Sequence, residues 1–288
     1  MTYTLKNGIT TAECTTKGGE LISFVCDGAE YVWQGDSTYW SGQAPHLFPV
    51  VCSPLNGQVT YNGTSYPMPK HGFVRGTEFR TVELTPTRVI FESRDSEETH
   101  AMFPYHYRLR VAHKLYGDGF DTEYTVIAED DMVFNIGGHP AFNCPMFEGE
   151  SFEDYEIRFK SSEGAVMSLT EGGYMDPALP KLDRIKNGTL PLVYSDFDRD
   201  AMIIENLPEK KIALRNRTTG HGIGFTFEGF DALGIWTPIG KNAPFVCLEP
   251  WCGLPASVDE SGRAEDKKYA VSLCRGEVFT VKYGVRVI

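Results

Sequence analysis

Short runs of alternating apolar and polar residues, separated by turn residues, dominate this chain. Alternation with many β-branched and aromatic residues is typical of half-buried strands. The clearest pair runs from Tyr107 to Leu115 and from Phe120 to Ala128, with the hairpin signal Asp118-Gly119 between them. The same pattern predicts strands at 2–5, 20–25, 89–92, 200–206, 211–216, 222–227, 234–236, 245–249, 270–274 and 277–287.

Helical periodicity is confined to two short segments, 180–186 and 264–268. Hairpin dipeptides recur instead, at Asn7-Gly8, Asp27-Gly28 and Asn62-Gly63. No Gly/Ser-rich or Pro-rich linker divides the chain. We therefore expect one domain over residues 1–288, all-β, built as a large antiparallel β-sandwich.

The net charge of the chain indicates which kinds of binding partner to expect. The 288 residues carry 39 acidic against 27 basic side chains, a formal net charge of −12. Phosphate backbones and anionic membranes attract Lys and Arg, so neither nucleic acid nor membrane is expected as a partner. The N-terminus lacks a signal-peptide pattern, and no apolar run approaches the ~20 residues of a membrane helix. The expected location is cytoplasmic, and the expected partner is a small neutral molecule.

The cysteines and glycines indicate neither a metal nor a nucleotide. Seven cysteines, an odd number with no CxxC, suggest free thiols. Cys247 and Cys252 have no second Cys/His pair to complete a zinc site, so no metal is expected. The chain has neither GxGxxG nor GxxxxGK[ST], so no nucleotide cofactor is expected.

Two histidines stand in unusual local contexts. His71 follows a turn in PKHGFVRG, with Arg75 four residues later; a solvated surface turn is the alternative interpretation. His139 follows two glycines and precedes a proline in NIGGHPAFN. The glycines permit close backbone approach and the proline favours an extended His139. The alternative there is a histidine satisfied within the core.

Glu249 ends the apolar strand Phe245 to Glu249, and alternation places Phe245, Cys247 and Glu249 on one face. A carboxylate in such a place is costly to bury unless paired. A structural ion pair, with Arg75 for example, is the alternative to a functional role. The following Pro250 predicts the end of the strand's hydrogen bonding, at a sheet rim.

Acidic residues before the next apolar strand are weaker candidates. Among Asp196, Asp198 and Asp200, the last adjoins the strand and is the preferred candidate for contacting a hydroxyl group of a substrate, although a solvated loop is the simpler interpretation for each. Two histidines and a glutamate from distant strands indicate acid/base chemistry, and no serine or cysteine lies in a GxSxG-like elbow.

At these residues the sequence resembles the aldose 1-epimerase (galactose mutarotase) family, in particular its LacX-like bacterial branch. The resemblance covers nearly the whole chain. It is carried by PHLFPVV at 45–51, PKHGFVRG at 69–76, GGHPAFNCP at 137–145, LGIWTP at 233–238 and FVCLEPWCG at 245–253.

The resemblance implies a β-super-sandwich and a reaction without a cofactor. It assigns Glu249 as catalytic base, His139 as catalytic acid and His71 as a residue that binds and polarises the sugar ring. Asp200 matches an aspartate that binds sugar hydroxyls. Trp236 and Trp251 are candidates for packing on the sugar, with core packing as the alternative.

One departure from the family pattern concerns a basic residue. Relatives often carry Gly-Arg soon after the LFP segment, where this chain has Val51-Cys52-Ser53-Pro54. Arg75 could substitute. A sugar phosphate is usually bound by arginine side chains, so the missing arginine weakens the case for a sugar phosphate as substrate.

The predicted function is interconversion of the α and β anomers of a free aldose. A hexose-6-phosphate 1-epimerase and a non-catalytic carbohydrate-binding or sensing protein remain the alternatives. A glycosidase usually needs two facing carboxylates, and only one acid is well placed here. The sequence leaves open which sugar is used and whether edge strands form a homodimer.

Overall fold

Two large antiparallel sheets form most of the molecule, as the alternating pattern predicts. The computed structural model describes residues 1–288. Its strands, in chain order, are β1 Thr2–Asn7, β2 Thr10–Thr15, β3 Leu21–Cys26, β4 Ala29–Glu30, β5 His46–Leu47, β6 Gln58–Tyr61, β7 Thr64–Pro67, β8 Arg80–Thr85, β9 Arg88–Arg94, β10 Tyr107–Leu115, β11 Gly119–Ala128, β12 Met132–Phe134, β13 Ile136–Gly138, β14 Ala141–Asn143, β15 Tyr155–Phe159, β16 Val166–Glu171, β17 Tyr174–Met175, β18 Thr189–Pro191, β19 Met202–Glu205, β20 Lys211–Asn216, β21 Gly222–Thr226, β22 Ala232–Trp236, β23 Phe245–Cys252, β24 Val271–Leu273 and β25 Val278–Val287.

Helices are few and short. One α-helical turn, α1, spans Glu97–His100. The 3₁₀ helices are Leu55–Gly57, Val74–Gly76, Phe152–Asp154, Tyr194–Phe197 and Ala264–Asp266. No helix has the length and apolar character needed to cross a bilayer.

The larger sheet has nine strands in the order β18-β15-β20-β21-β25-β11-β10-β9-β8. The second has eight, β17-β16-β19-β22-β23-β13-β5 with β14 also paired to β23. A four-stranded sheet, β1 to β4, and two ribbons complete the fold. A cluster of 61 buried residues includes Tyr124 and Val285 from the nine-stranded sheet and Ile204 and Leu248 from the eight-stranded one, so the sheets share one core.

Two of the four hairpin signals form the two-residue turns that the sequence predicts, whereas the turn after β1 lies one residue later, at Gly8 and Ile9, because Asn7 itself pairs with Thr10. Cys26 pairs with Ala29 across Asp27-Gly28, and Tyr61 pairs with Thr64 across Asn62-Gly63. All four turn residues have positive φ, between 47° and 81°. Two-residue hairpins of this type need positive φ at both positions, which Asn, Asp and Gly tolerate best. The predicted β10–β11 hairpin is also present, with Leu115 opposite Phe120.

Two local predictions are wrong. Residues 180–186 are not helical, because the backbone of Leu182 pairs with Met167 on β16. His139 itself lies between two strands, since β13 ends at Gly138 and β14 begins at Ala141. Conversely, β23 does not end at Glu249; it runs through Pro250 to Cys252, because β13 and β22 continue to pair beside it.

Candidate active site

The six site residues predicted from the sequence line one cavity of about 280 Å³. They are His71, Arg75, His139, Asp200, Trp236 and Glu249. The cavity lies at the His139–Pro140 break between β13 and β14, beside β22 and β23. The structure therefore brings together segments that are up to 178 positions apart in the sequence, His71 and Glu249 being the outermost.

Strand alternation turns Glu249 toward this cavity. On β23, Val246 and Leu248 pack into the main core, whereas Phe245 and Cys247 belong to a separate cluster on the opposite face. Glu249 shares that second face and is 2% exposed. Its partner is His139, not Arg75, so the suggested ion pair with Arg75 is not formed.

His139 is held at the strand break by its backbone and by aromatic rings. Its N–H donates to the carbonyl of Pro45 at 3.0 Å. The indole of Trp40 stacks on its imidazole at 5.0 Å between centroids, and Trp236 meets it edge-on at 5.5 Å. These contacts leave Nε2 directed at the Glu249 carboxylate, with 3.2 Å between Nε2 and Oε2.

Burial sets the proton affinities of this pair. It raises the pKa of Glu249 well above its usual range; Lys70 opposes the shift and the Asp200 carboxylate adds to it. Burial also lowers the pKa of His139 to about 3. Both shifts have the same origin, since a low-dielectric cavity disfavours the charged form of each group. Burial therefore favours the neutral pair, a protonated carboxyl beside an uncharged imidazole.

His71 is fixed in one tautomer by a reciprocal backbone contact. The N–H of Cys52 donates to His71 Nδ1 at 3.0 Å, and the His71 N–H donates to the Cys52 carbonyl at 2.8 Å. Because Nδ1 accepts, the ring proton is on Nε2. Burial and then the neighbouring His139 lower the pKa of His71 well below its usual range, so the ring is a neutral donor.

The turn that carries His71 requires a glycine after it. His71 has φ of 67° and Gly72 has φ of 71°. A Cβ on Gly72 would lie 2.0 Å from the carbonyl oxygen of Phe48. The backbone of the LFP segment and the His71 turn are thus in direct contact, which explains why PHLFP and PKHGF form one site.

Two cations reach the cavity from the same turn. Arg75, in the 3₁₀ helix Val74–Gly76, and Lys70, just before His71, are both among its lining residues and both exposed. The segment after LFP supplies a backbone N–H from Cys52 and no cation. Lys70 was not singled out from the sequence, although its place beside His71 in PKHGF was the available signal.

Asp200 is the aspartate of its loop that faces the cavity. Its φ is 84°, and its N–H donates to the Phe197 carbonyl at 3.0 Å. Asp196 instead forms an ion pair with Arg184, and Asp198 is exposed. The sequence could not distinguish the three, because their separation depends on this turn.

Tryptophans form the apolar wall. Trp236 and Trp40 meet edge-on at 5.6 Å, and the buried Trp251 also lines the cavity. Trp40 was not predicted, because it lies in a loop without a recognisable motif. Flat apolar rings next to several polar groups suit a sugar, which has an apolar face and many hydroxyls.

One set of side chains in the cavity wall has metal-ligand chemistry. His139, Cys247 and Glu249 bring one ligand atom each within 4.8 Å of one another. A metal would need the thiolate of Cys247. Burial raises the pKa of that thiol well above its usual range, which opposes thiolate formation. This set therefore fits acid/base chemistry better than metal binding.

Comparison with known proteins gives one family. The family described as aldose 1-epimerase matches residues 1–286. Protein LacX, plasmid, from Lactococcus lactis subsp. lactis is 36% identical over 100% of both chains. A galactose mutarotase related enzyme from Lactobacillus acidophilus superposes with a TM-score of 0.94 at 27% identity, covering 100% of this chain and 97% of that one.

A galactose mutarotase-like protein from Lactobacillus casei gives a TM-score of 0.93 at 30% identity, with 100% of both chains covered. These similarities extend over the entire length of the chain and include all the segments that form the cavity. The chain belongs to the aldose 1-epimerase family, a family of isomerases.

Proposed function

We propose that the protein is a mutarotase that interconverts the α and β anomers of a free aldose without a cofactor. One observation carries the proposal: His139 Nε2 and Glu249 Oε2 lie 3.2 Å apart at the cavity wall, both buried. Opening a hemiacetal ring needs a base at the C1 hydroxyl and an acid at the ring oxygen, and this pair offers both.

In the proposed reaction Glu249 takes the proton from the C1 hydroxyl while His139 donates one to the ring oxygen. The bond between C1 and the ring oxygen breaks and leaves the open-chain aldehyde. Rotation about the bond between C1 and C2 presents the other face of the aldehyde. Glu249 then returns its proton to the carbonyl oxygen, His139 removes the proton from the attacking hydroxyl, and the ring closes as the opposite anomer.

The proton count of the pair is unchanged over this cycle. Ring opening begins with the proton on His139 and ends with it on Glu249, and closure reverses the transfer. Burial favours the neutral form, with the proton on Glu249, which is the form that accompanies the open-chain aldehyde.

The remaining residues orient the sugar. The Nε2–H of His71 can donate to a ring or hydroxyl oxygen, and the Asp200 carboxylate can accept from hydroxyl groups. Trp236 offers an apolar surface, and Arg75 lies exposed at the cavity. The volume of about 280 Å³ lies just below the ~300–1,000 Å³ typical of sites for drug-sized ligands, a size suited to one sugar ring.

The test is anomer exchange in a panel of free aldoses, measured by polarimetry or by NMR saturation transfer. We expect the wild-type protein to accelerate exchange for at least one sugar and Glu249→Gln to reduce that rate by about 10²–10⁴-fold. The exposed Glu163→Gln is a matched control that should keep full activity. Saturable sugar binding without any acceleration would contradict the proposal and indicate a carbohydrate-binding or sensing protein.

A sugar phosphate is a second candidate substrate, favoured by Lys70 and Arg75 at the same cavity. Two cations can hold a phosphate although the arginine after LFP is missing. Inorganic phosphate would then inhibit exchange competitively, and Lys70→Ala would weaken that inhibition. A free-aldose enzyme predicts no competitive inhibition by phosphate.

A further inference from the structure

A second group of chemically active side chains lies outside the cavity, between β9 and β10. Asp95 follows β9, His100 ends α1 and His106 immediately precedes β10. Asp95 Oδ2 lies 3.0 Å from His100 Nε2 and 2.7 Å from His106 Nδ1. The two ring nitrogens are 3.2 Å apart. None of the three residues lines the cavity described above.

These distances match the edges of a metal coordination polyhedron. Zinc bonds to histidine nitrogen and carboxylate oxygen are about 2.0–2.2 Å, so ligand atoms of a tetrahedral site are about 3.3 Å apart. The three separations, 2.7, 3.0 and 3.2 Å, are shorter than that value by about 0.6, 0.3 and 0.1 Å. A small outward movement of the rings around a bound ion would complete the geometry.

The backbone holds the three side chains in place. Asp95 Oδ1 accepts the Tyr107 N–H at 3.1 Å, which aims Oδ2 at the rings. The His106 N–H donates to Asp130 Oδ2 at 2.8 Å. His100 is presented by α1, whose first turn is closed by reciprocal Ser96 and Thr99 bonds. Such outer contacts are what orient ligands in metal sites.

Without an ion, Asp95 Oδ2 is the common partner of both rings. If both rings donate to it, their N–H groups converge on one oxygen with only 3.2 Å between the nitrogens, which crowds the two protons. A cation bound to the three atoms removes this crowding, because it replaces both protons and interacts favourably with all three lone pairs. The side chains of Asp95, His100 and His106 are 17%, 31% and 58% exposed, which leaves one side open to water as a further ligand.

We propose that Asp95, His100 and His106 form a binding site for a divalent transition ion, with Zn²⁺ as the best match. Two imidazoles and one carboxylate suit zinc, whereas Mg²⁺ and Ca²⁺ take oxygen ligands. The ion links the two ends of the segment that joins β9 to β10, because Asp95 lies at the start of that segment and His106 at its end. The site is independent of the proposed mutarotase chemistry.

The proposal is tested by titrating the full-length protein with ZnCl₂ in a calorimeter and by following its thermal unfolding with and without Zn²⁺. We expect one ion per chain and a Tm that rises on zinc addition. His100→Asn and His106→Asn should each weaken binding by at least about tenfold, since each removes a direct ligand. The matched control His221→Asn, at a surface histidine paired with Glu150, should bind as wild type.

Three outcomes would overturn the proposal. One is a wild-type Kd weaker than about 100 µM. Another is unchanged zinc affinity in both His100→Asn and His106→Asn, with folding of both verified by circular dichroism. The third is loss of binding in His139→Asn alone, which would assign the ion to the His139, Cys247 and Glu249 set in the cavity. Substituting Co²⁺ separates the two sites in a further way, because thiolate ligation adds a charge-transfer band that the proposed nitrogen and oxygen ligands lack.

Discussion

Burial governs the chemistry of individual residues in the cavity. In water His139 and Glu249 would both be charged between about pH 4.5 and 6.5, and their desolvation opposes both charges. His71 is also neutral, yet its proton position is fixed by a single backbone donor, Cys52 N–H. Two neighbouring histidines therefore receive different chemical roles from different surroundings: one is coupled to a carboxylate and the other is a fixed donor.

A pair of substitutions at His71 separates the two functions of its ring. In His71→Ala the Cys52 N–H loses its acceptor inside the protein, which should cost about 1–3 kcal/mol of unfolding free energy. In His71→Asn the side-chain oxygen can take the place of Nδ1, so stability should stay closer to wild type. Both variants lack the Nε2–H donor and should lose activity. Urea unfolding and anomer exchange measure the two effects, and equal stability of the two variants would contradict the role of Nδ1.

Sequence patterns predicted the polar residues that line the cavity better than their surroundings. His71, His139 and Glu249 could be found because they interrupt apolar or turn segments, where a polar side chain is costly to bury unless it is paired. Asp200 could be chosen only by its place before a strand, and its left-handed backbone was not predictable. Trp40 carries no local signal, since it reaches the cavity through contacts between segments far apart in the chain, whereas Lys70 could have been chosen from its place beside His71.

Secondary structure elements were predictable where turns and alternation agree. The β10–β11 hairpin has both signals and was predicted nearly to its ends. β8 and β16 were missed, because their polar and charged residues weaken the alternation. β15 was missed although Tyr155, Ile157 and Phe159 alternate with Glu156 and Arg158. The break at His139 has no local sequence signal, because β13 and β14 both pair with β23 and the interruption between them is a property of the sheet.

Packing around β23 predicts the effect of one glycine substitution. Gly137 on β13 and Gly234 on β22 flank the indole of Trp251, and a Cβ on Gly234 would lie 2.4 Å from its ring. Gly234→Ala should therefore destabilise the protein by about 1–3 kcal/mol through overpacking. It should also lower activity, since Trp251 lines the cavity.

The matched control is Gly117→Ala, a position where a Cβ meets no atom within 4 Å and φ is not positive. Urea unfolding of both variants distinguishes crowding at Trp251 from a general effect of losing glycine. Equal stability of the two variants would show that Trp251 adjusts without cost.

At the scale of the whole molecule, two sheets enclose buried polar groups that link distant elements. His46 on β5 and His113 on β10 both donate through Nε2 to the carbonyl of Gly19, at 2.9 and 2.8 Å. Both are fully buried, and burial lowers the pKa of His46 to about 3 and that of His113 to about 4. The shared core is consistent with one domain over residues 1–288, which stays a prediction.

These two histidines predict acid sensitivity of the fold. Their pKa values are lower in the folded protein than in the unfolded chain, so the unfolded chain binds more protons below its histidine pKa of about 6.5. Below pH 6.5 the unfolding free energy should therefore decrease as the pH is lowered, by up to about 1.4 kcal/mol per pH unit for each histidine. Urea unfolding at pH 7, 6 and 5 measures this slope.

His113→Gln should reduce the slope by about one proton, because glutamine can donate to the Gly19 carbonyl but does not titrate. An unchanged slope in this variant would mean that His113 does not contribute to acid unfolding. Glu249 has the opposite effect on the pH dependence. Because its pKa is raised in the folded protein, its contribution to the unfolding free energy decreases as the pH rises.

The central claim is that His139 and Glu249 act as one catalytic unit, and anomer exchange by the double variant His139→Asn/Glu249→Gln tests it most directly. Groups that act together are strongly non-additive, so each single variant should lose about 10²–10⁴-fold and the double variant little more than the worse single one. Multiplication of the two losses, or a single variant within a few-fold of wild type, would contradict the account.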